Sequence, residues 1–435
     1  MRKSTSTKSS WSLYQWGIVL MLLAALVISA IDRVNIAIAG SYWVKHHMMK
    51  PSHLGLIQSI FGWSLTASLL LAGPVIDKLH PRRILPLGMV AWTIATWLTT
   101  ITLKLPLLSL FRGLLGVGES ALLPSAPKII VENIEPKDRT KAISIYFTGN
   151  KLGPTIGLPL SAALLVAMGW QQVFYVTGAL SLVWVLVWLA IYRKNKGTDR
   201  QGGTNQATVA KSTAGRIGWS GLFAYRNTWA LIVGQFGYLY VLYVFLTWVP
   251  GMLVLQEHLS IGKSGSLSAL PFIVAIITTI LGGWWADAWV NRGSNKTVVR
   301  KTIIGGGLIL STVFVIIAAY SKTPTLTVLF LVLTMASMGL VTGSVNSLPM
   351  DLAPAETVSS ISSLQNFGGN LGASFAPLVT GLLYGSLHNF RIALIVTGVV
   401  ALMGAFAYLF LLGKVRPSYT THDSLPEASQ PVVVH

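Results

Sequence analysis

The chain has 435 residues, 53% of them hydrophobic and only 10% charged, where a soluble protein carries roughly a quarter charged residues. So little charge excludes an ordinary soluble globule and calls for a bilayer as solvent. The formal net charge of +19 does not mark a nucleic-acid binder, because the basic residues lie between apolar runs and not along one face of a soluble helix. The lack of cysteine excludes a disulfide framework.

A membrane helix needs about 20 apolar residues. Taken in chain order, apolar runs broken by charge, Pro and Gly predict spans at 14–44, 53–77, 83–103, 106–134, 138–167 and 170–192. A polar stretch rich in Gly, Ser and Thr, with Lys194, Lys196, Arg200, Lys211 and Arg216, reads as a linker. Six further spans follow at 226–256, 264–290, 300–321, 325–353, 356–385 and 389–413. The predicted fold class is therefore an all-α membrane protein of 12 transmembrane helices in two pseudo-symmetric six-helix bundles. Its expected parts are an N-terminal half (1–193), a cytoplasmic linker (194–222), a C-terminal half (223–413) and a cytoplasmic tail (414–435). The first apolar run is too long for a signal-peptide core and is read as a retained helix.

The basic residues orient these spans. With both termini inside, 23 of the 32 Lys and Arg fall in cytoplasmic segments. Six (Lys45, Lys50, Lys104, Lys263, Lys322 and Arg391) fall outside, and Arg33, Arg112 and Lys151 lie at membrane depth. This bias supports an even number of spans with cytoplasmic termini. The short loops favour a bacterial cytoplasmic membrane.

The two halves repeat. Gly73-Pro-Val-Ile-Asp77 after span two matches Gly283-Trp-Trp-Ala-Asp287 after span eight. Phe147-Thr-Gly149-Asn150-Lys-Leu152-Gly153 in span five matches Phe367-Gly-Gly369-Asn370-Leu371-Gly372 in span eleven, with Lys151 as an extra residue. Pro136-Lys-Asp and Pro354-Ala-Glu precede those helices at similar offsets. Such duplication is the usual plan of a secondary transporter.

Charges at depth are expensive and usually face a cavity or a partner. Asp32-Arg33-Val-Asn35 lies inside span one. Arg112 and Glu119 lie on one face of span four, roughly 10 Å apart, with Gly113, Gly116 and Gly118 between them permitting close helix packing. Glu119 is a candidate proton carrier. An internal ion pair is the structural alternative for both sets. Lys151 adds a third cation, which either binds a second carboxylate or snorkels or pairs with Glu119. Three cations at depth suggest a dicarboxylate. Asn346, Ser347, Asn366 and Asn370 are placed either to contact substrate or to hydrogen-bond between helices, with Tyr240 and Tyr243 as weaker candidates.

The loop Gly73-Pro-Val-Ile-Asp77-Lys78-Leu-His80-Pro-Arg82-Arg83 resembles the loop motif of the major facilitator superfamily, with His80 where that family has Gly. Asp77, Arg82, Arg83 and the repeat's Asp287 are its expected gate residues. They would make and break contacts with a neighbouring helix N-terminus and with one another. Within the superfamily, Asp32-Arg33-x-Asn35, Arg112 with Glu119, Gly169-Trp170 before Phe174, Thr247-Trp248-Val-Pro250 and Pro271-Phe272 with Gly282-Gly283-Trp284 look like the anion:cation symporters. That resemblance covers about Trp16 to Leu412. It implies alternating access and import of a small organic anion, a sugar acid or another mono- or dicarboxylate, by proton symport. It assigns Arg33 and Arg112 to the substrate and Asp32 and Glu119 to the protons. Substrate-binding residues are thus expected among Arg33, Arg112, Asn150, Lys151, Tyr243, Asn346, Ser347 and Asn370.

Protons are preferred to sodium, and a monomer without cofactor, metal or nucleic-acid partner is expected. Leu65 stands where family members often carry Tyr. Gly149-x-x-x-Gly153-Pro154-x-x-Gly157 partly matches a drug-antiporter motif and keeps a proton-coupled exporter as the alternative. No metal cluster, nucleophile pair or phosphate loop supports an enzyme.

Overall fold

The structure is a computed structural model that describes residues 11–135, 138–192, 219–354 and 357–416, without the side chains of 70–79, 140, 219–220 and 359. The described residues form helices and no strands. We number twelve helical segments in chain order. The first half comprises α1 (Leu13–Lys45), α2 (Pro51–Leu79), α3 (Pro81–Leu98), α4 (Leu105–Glu119 and Leu122–Asn133), α5 (Arg139–Met168) and α6 (Trp170–Ile191). The second comprises α7 (Arg226–Thr247 and Val249–Leu255), α8 (Ile261–Asn291), α9 (Lys296–Tyr320), α10 (Pro324–Leu352), α11 (Val358–Leu387) and α12 (Phe390–Phe406, ending in a π turn at Ala407–Leu411). Among the described residues nine of the twelve are long and apolar enough to cross a membrane by length and composition. The other three are α2, α3 and α11. Most of the predicted linker and tail lies outside the described residues.

Local chemistry sets the helix boundaries. Ser12 and Gln15 form a reciprocal capping box on α1. Ser260, Asn295, Thr323 and Asn389 each accept a backbone N–H at the start of α8, α9, α10 and α12. Two breaks were not predicted. α4 stops at Glu119 and resumes at Leu122. In α7, Trp248 leaves helical geometry at φ −121° and Pro250 opens the next segment, as expected where proline cannot donate to the preceding turn.

The sequence repeat is a packing repeat. α5 lies along α1 through Gly149, Gly153 and Gly157, where a Cβ on Gly153 would stand 2.9 Å from the Val27 carbonyl oxygen. α11 lies along α7 in the same way through Gly368, Gly369 and Gly372, against Ile232, Gln235 and Phe236. Small residues let backbones touch where lipid supplies no hydrophobic drive.

The halves meet where α2 packs on α11 and α5 on α8. A Cβ on Gly381 of α11 would stand 2.8 Å from the Pro51 carbonyl oxygen, 3.0 Å from Gly55 Cα and 3.0 Å from the Trp248 ring. Gly265 of α8 sits on Leu158 and Ala162 of α5. These contacts close the end of the bundle far from the chain termini. The start of α5 and the two ends of the described chain share the opposite end: Lys141 lies 4.9 Å over Trp11, and Val415 N donates to Thr297 Oγ1 at 2.9 Å. Outside the bundle, Leu186, Ile280 and Trp284 are about 70% exposed, an apolar rim suited to lipid.

Candidate transport site

α1 positions the central charges. Adjacent residues on a helix diverge by about 100°, and Asp32 and Arg33 accordingly serve different neighbours. Arg33 turns to α4, where Nη2 and Nε donate to Glu119 Oε2 at 2.8 and 3.0 Å. The same oxygen accepts from Ser29 Oγ at 2.8 Å. The Glu119 side chain is fully buried, while that of Arg33 keeps 15% of its surface exposed. Arg33 Nη1 also reaches Tyr243 of α7 at 3.5 Å, across the boundary between the halves.

Asp32 turns to α6. Its Oδ1 accepts from Asn35 Nδ2 at 3.2 Å, and Asn35 Nδ2 also donates to Thr177 Oγ1 at 3.1 Å. The second oxygen, Oδ2, is buried without a hydrogen-bond partner. Arg112 is 2% exposed and lies over the Phe174 ring at 5.9 Å, yet its Nε and Nη2 have no partner. Gln58 of α2 is likewise buried with neither amide atom satisfied. Buried polar groups seldom go unpaired. Arg112 and Gln58 line a cavity together with Arg33, Ile36, Phe61, Tyr243, Leu246, Thr247 and Pro377. Two guanidinium groups, an amide and a phenol suit a carboxylate bearing hydroxyls.

Helix crossings hold the cluster in register. A Cβ on Gly116 would stand 2.6 Å from the Phe61 carbonyl oxygen, and one on Gly118 would stand 2.9 Å from the Gly88 carbonyl oxygen. Two of the three span-four glycines therefore seat α4 on α2 and α3. Gly113 has only the Ile60 side chain, 3.9 Å away.

The predicted residues divide by place. Asp32, Arg33, Arg112, Glu119 and Tyr243 come together. Lys151 lies apart from Glu119, against Thr279 of α8 and Thr342 of α10. Asn150 and Asn346 are exposed and Asn370 is half-buried. Ser347 bonds to the Ser344 carbonyl at 3.0 Å and to Asp351 at 3.5 Å, beside the Arg300 and Lys296 pairs with that carboxylate. The loop between α2 and α3 makes a tight turn at His80. His80 takes φ 60° and accepts from Arg82 N at 3.2 Å, capping α3, a backbone region that favours glycine. Arg82 and Arg83 occupy the first turn of α3. The Asp77 side chain lies outside the described residues, and Asp287 is exposed. Gln58, Ser29 and Thr177 were not anticipated. An amide amid the apolar residues of α2 was the available signal for Gln58.

Two helical halves that bury cations and carboxylates beside the cleft between them define a membrane transporter, not an enzyme. The profile of the Major Facilitator Superfamily matches residues 21–377 and 297–434, and the chain belongs to that superfamily. It is 27% identical over 400 residues to a probable L-galactonate transporter of Escherichia coli (strain K12), covering 91% of this chain and 88% of the relative. It is 28% identical over 415 residues to the D-galactonate transporter of Escherichia coli O6:H1, covering 92% and 95%. The fold is similar to that of a bacterial homologue of the human lysosomal transporter Spinster in an inward-facing, occupied conformation. That match has a TM-score of 0.78 at 17% identity, covering 92% of this chain and 97% of the other.

Proposed function

We propose that this chain imports a small sugar acid by proton symport across a bacterial cytoplasmic membrane, with its termini on the cytoplasmic side. The observation that carries this reading is Arg112, whose buried Nε and Nη2 have no protein partner beside a cavity that Arg33 and Gln58 share. A carboxylate is the ligand that satisfies a guanidinium edge by two parallel bonds. The names of the galactonate transporters similar to this chain support the substrate class.

Glu119 and Asp32 are the proton carriers in this reading. Glu119 is tied to Arg33 by the same oxygen that Ser29 holds. Substrate arriving on the guanidinium groups competes for those bonds and frees the carboxylate to take up a proton. The closed far end, sealed at Gly55 and Gly381, opens as the halves rock about the site. Arg82, Arg83, Asp77 and Asp287 serve the opposite end as its gate. The glycine stripe on which an exporter reading rests is taken up by packing on α1, so symport is preferred.

The test is uptake by the purified chain in proteoliposomes under an inward proton gradient, with hexonates as substrates and Glu119→Gln as control. The expected result is gradient-driven accumulation that Glu119→Gln abolishes while counterflow persists. Accumulation untouched by Glu119→Gln, or efflux of cationic drugs in its place, would refute the reading.

A further inference from the structure

Lys151 is the half-buried cation that the central cluster leaves unused. The glycine stripe of α5 turns Gly149, Gly153 and Gly157 toward α1. Lys151, two residues from both Gly149 and Gly153, therefore faces the opposite side. The same face carries Leu158 and Ala162, on which Gly265 of the second half rests. The ammonium thus crosses between the halves. Its Nζ donates to Thr279 Oγ1 and, at 3.5 Å, to Thr342 Oγ1.

Those hydroxyls are already committed in part. Thr279 and Thr342 donate to the Ala275 and Met338 carbonyls at 2.7 and 3.0 Å. Tyr238 Oη lies 2.8 Å from Thr342 Oγ1. Among the described residues no carboxylate pairs with Lys151, so its partners are neutral oxygens. An ammonium at membrane depth normally has a counter-charge, and here the described residues do not supply one.

Two helices serve as rulers for its separation from the central site along the bundle axis. On α7, Tyr238 marks the Lys151 group and Tyr243 marks Arg33. Five residues of helix span about 7.5 Å. On α1, Gly149 lies against Leu23 and Leu26 and Gly153 against Val27 and Ala30, which sets Lys151 six to seven residues before Arg33, or about 10 Å. An extended six-carbon chain separates its terminal carbons by roughly 6 Å, and a charged hydrogen bond of about 2.8 Å lies beyond each end.

We propose that Lys151, framed by Thr279, Thr342 and Tyr238, is a second anion subsite, and that the transported sugar acid is a diacid of about six carbons whose second carboxylate it binds. The inference rests on the sugar-acid reading above and narrows it. Arg112 and Arg33 take one carboxylate. Lys151, on the termini side, takes the other and so senses chain length as well as charge.

The experiment uses the full-length chain in proteoliposomes under an inward proton gradient. Hexonate uptake is compared with uptake of the matching hexarate for wild type, Lys151→Met, Lys151→Arg and Thr279→Val. A lost hydrogen bond to a charged group corresponds to about a tenfold change or more. The hexarate-to-hexonate ratio of kcat/KM should therefore fall at least ~10-fold in Lys151→Met, and in the same direction in Thr279→Val. Lys151→Arg should retain most of it. Thr279→Val keeps the cation and most of the side-chain volume, so it reports even if Lys151→Met does not fold. If wild type carries hexonate only, or if the ratio stays within about twofold in both Lys151→Met and Thr279→Val, the diacid subsite is refuted and sugar-acid transport stands. If wild type carries neither acid, the sugar-acid reading falls and the subsite falls with it.

Discussion

The Arg33–Glu119 pair allows a thermodynamic test of how the two helices are tied. Glu119 Oε2 accepts three hydrogen bonds, from Ser29 Oγ and from Arg33 Nε and Nη2. The Glu119 side chain has no exposed surface and that of Arg33 has 15%. Removing one partner of a buried pair strands the other charge and costs about 3–5 kcal/mol, whereas replacing both with apolar residues of similar size is near neutral. With about 2.1 cal/mol/K of unfolding entropy per residue over 435 residues, such a loss lowers Tm by about 3–6 °C. Helices that persist in a detergent micelle reduce that entropy, so about 3 °C is the floor. We expect Arg33→Met and Glu119→Leu each to show this drop, by intrinsic tryptophan fluorescence of the purified chain, and the double variant to return within about 2 °C of wild type. Arg33→Met keeps a side chain over the Phe61 ring, on which the guanidinium now lies at 5.7 Å. Single variants within 1 °C of wild type, or a double variant whose loss is the sum of the two, would refute the coupling.

Two further outcomes follow from the same geometry. Gln58→Leu removes two buried amide atoms that lack partners. It should raise the stability of the substrate-free protein by about 1 kcal/mol or more and raise KM for the transported acid several-fold; a loss of stability with unchanged KM would show that the amide packs and does not bind. Gly55→Leu places a side chain where Gly55 meets Pro377 and Gly381. It should pry open the far end, so that a cysteine introduced at Thr247 reacts at least tenfold faster with a polar maleimide. The chain has no native cysteine to obscure that reading, and an unchanged rate would show that the crossing is not the seal.

The sequence made the spans legible because each is a long apolar run, and most predicted bounds fall within a few residues of the helices. The break after Glu119 was missed although Pro124 signals it, since a proline cannot donate to the carbonyl four residues before it, here that of Ser120. The pairing of charges was read only in part. Helical spacing puts Arg112 and Glu119 on one face, but the salt bridge joins Glu119 to Arg33, 86 positions away. That choice depends on how α4 is seated on α2 and α3, which Gly116 and Gly118 fix through backbone contact. Lys151 was visible as a charge at depth, but its neighbours Thr279 and Thr342 come from helices whose facing a single sequence does not give. His80 shows the reverse case. It departs from the family's glycine, yet the backbone keeps the positive φ and the imidazole supplies the helix cap.

Five ionisable groups lie at membrane depth around the substrate path: Arg33, Arg112 and Lys151 against Asp32 and Glu119. With all five ionised the unloaded site carries one net positive charge. A monocarboxylate neutralises it, and a dicarboxylate takes it to one net negative. Membrane voltage, worth about 2.3 kcal/mol per charge for each 100 mV, therefore acts on different steps for the two substrates. With the monoacid and no bound proton the loaded crossing is electrically silent and the voltage falls on the return of the empty carrier, and each proton carried with the monoacid adds one positive charge to the loaded crossing. With the diacid it opposes the loaded crossing until a proton joins it, so a negative cell interior would itself make proton uptake a condition of import.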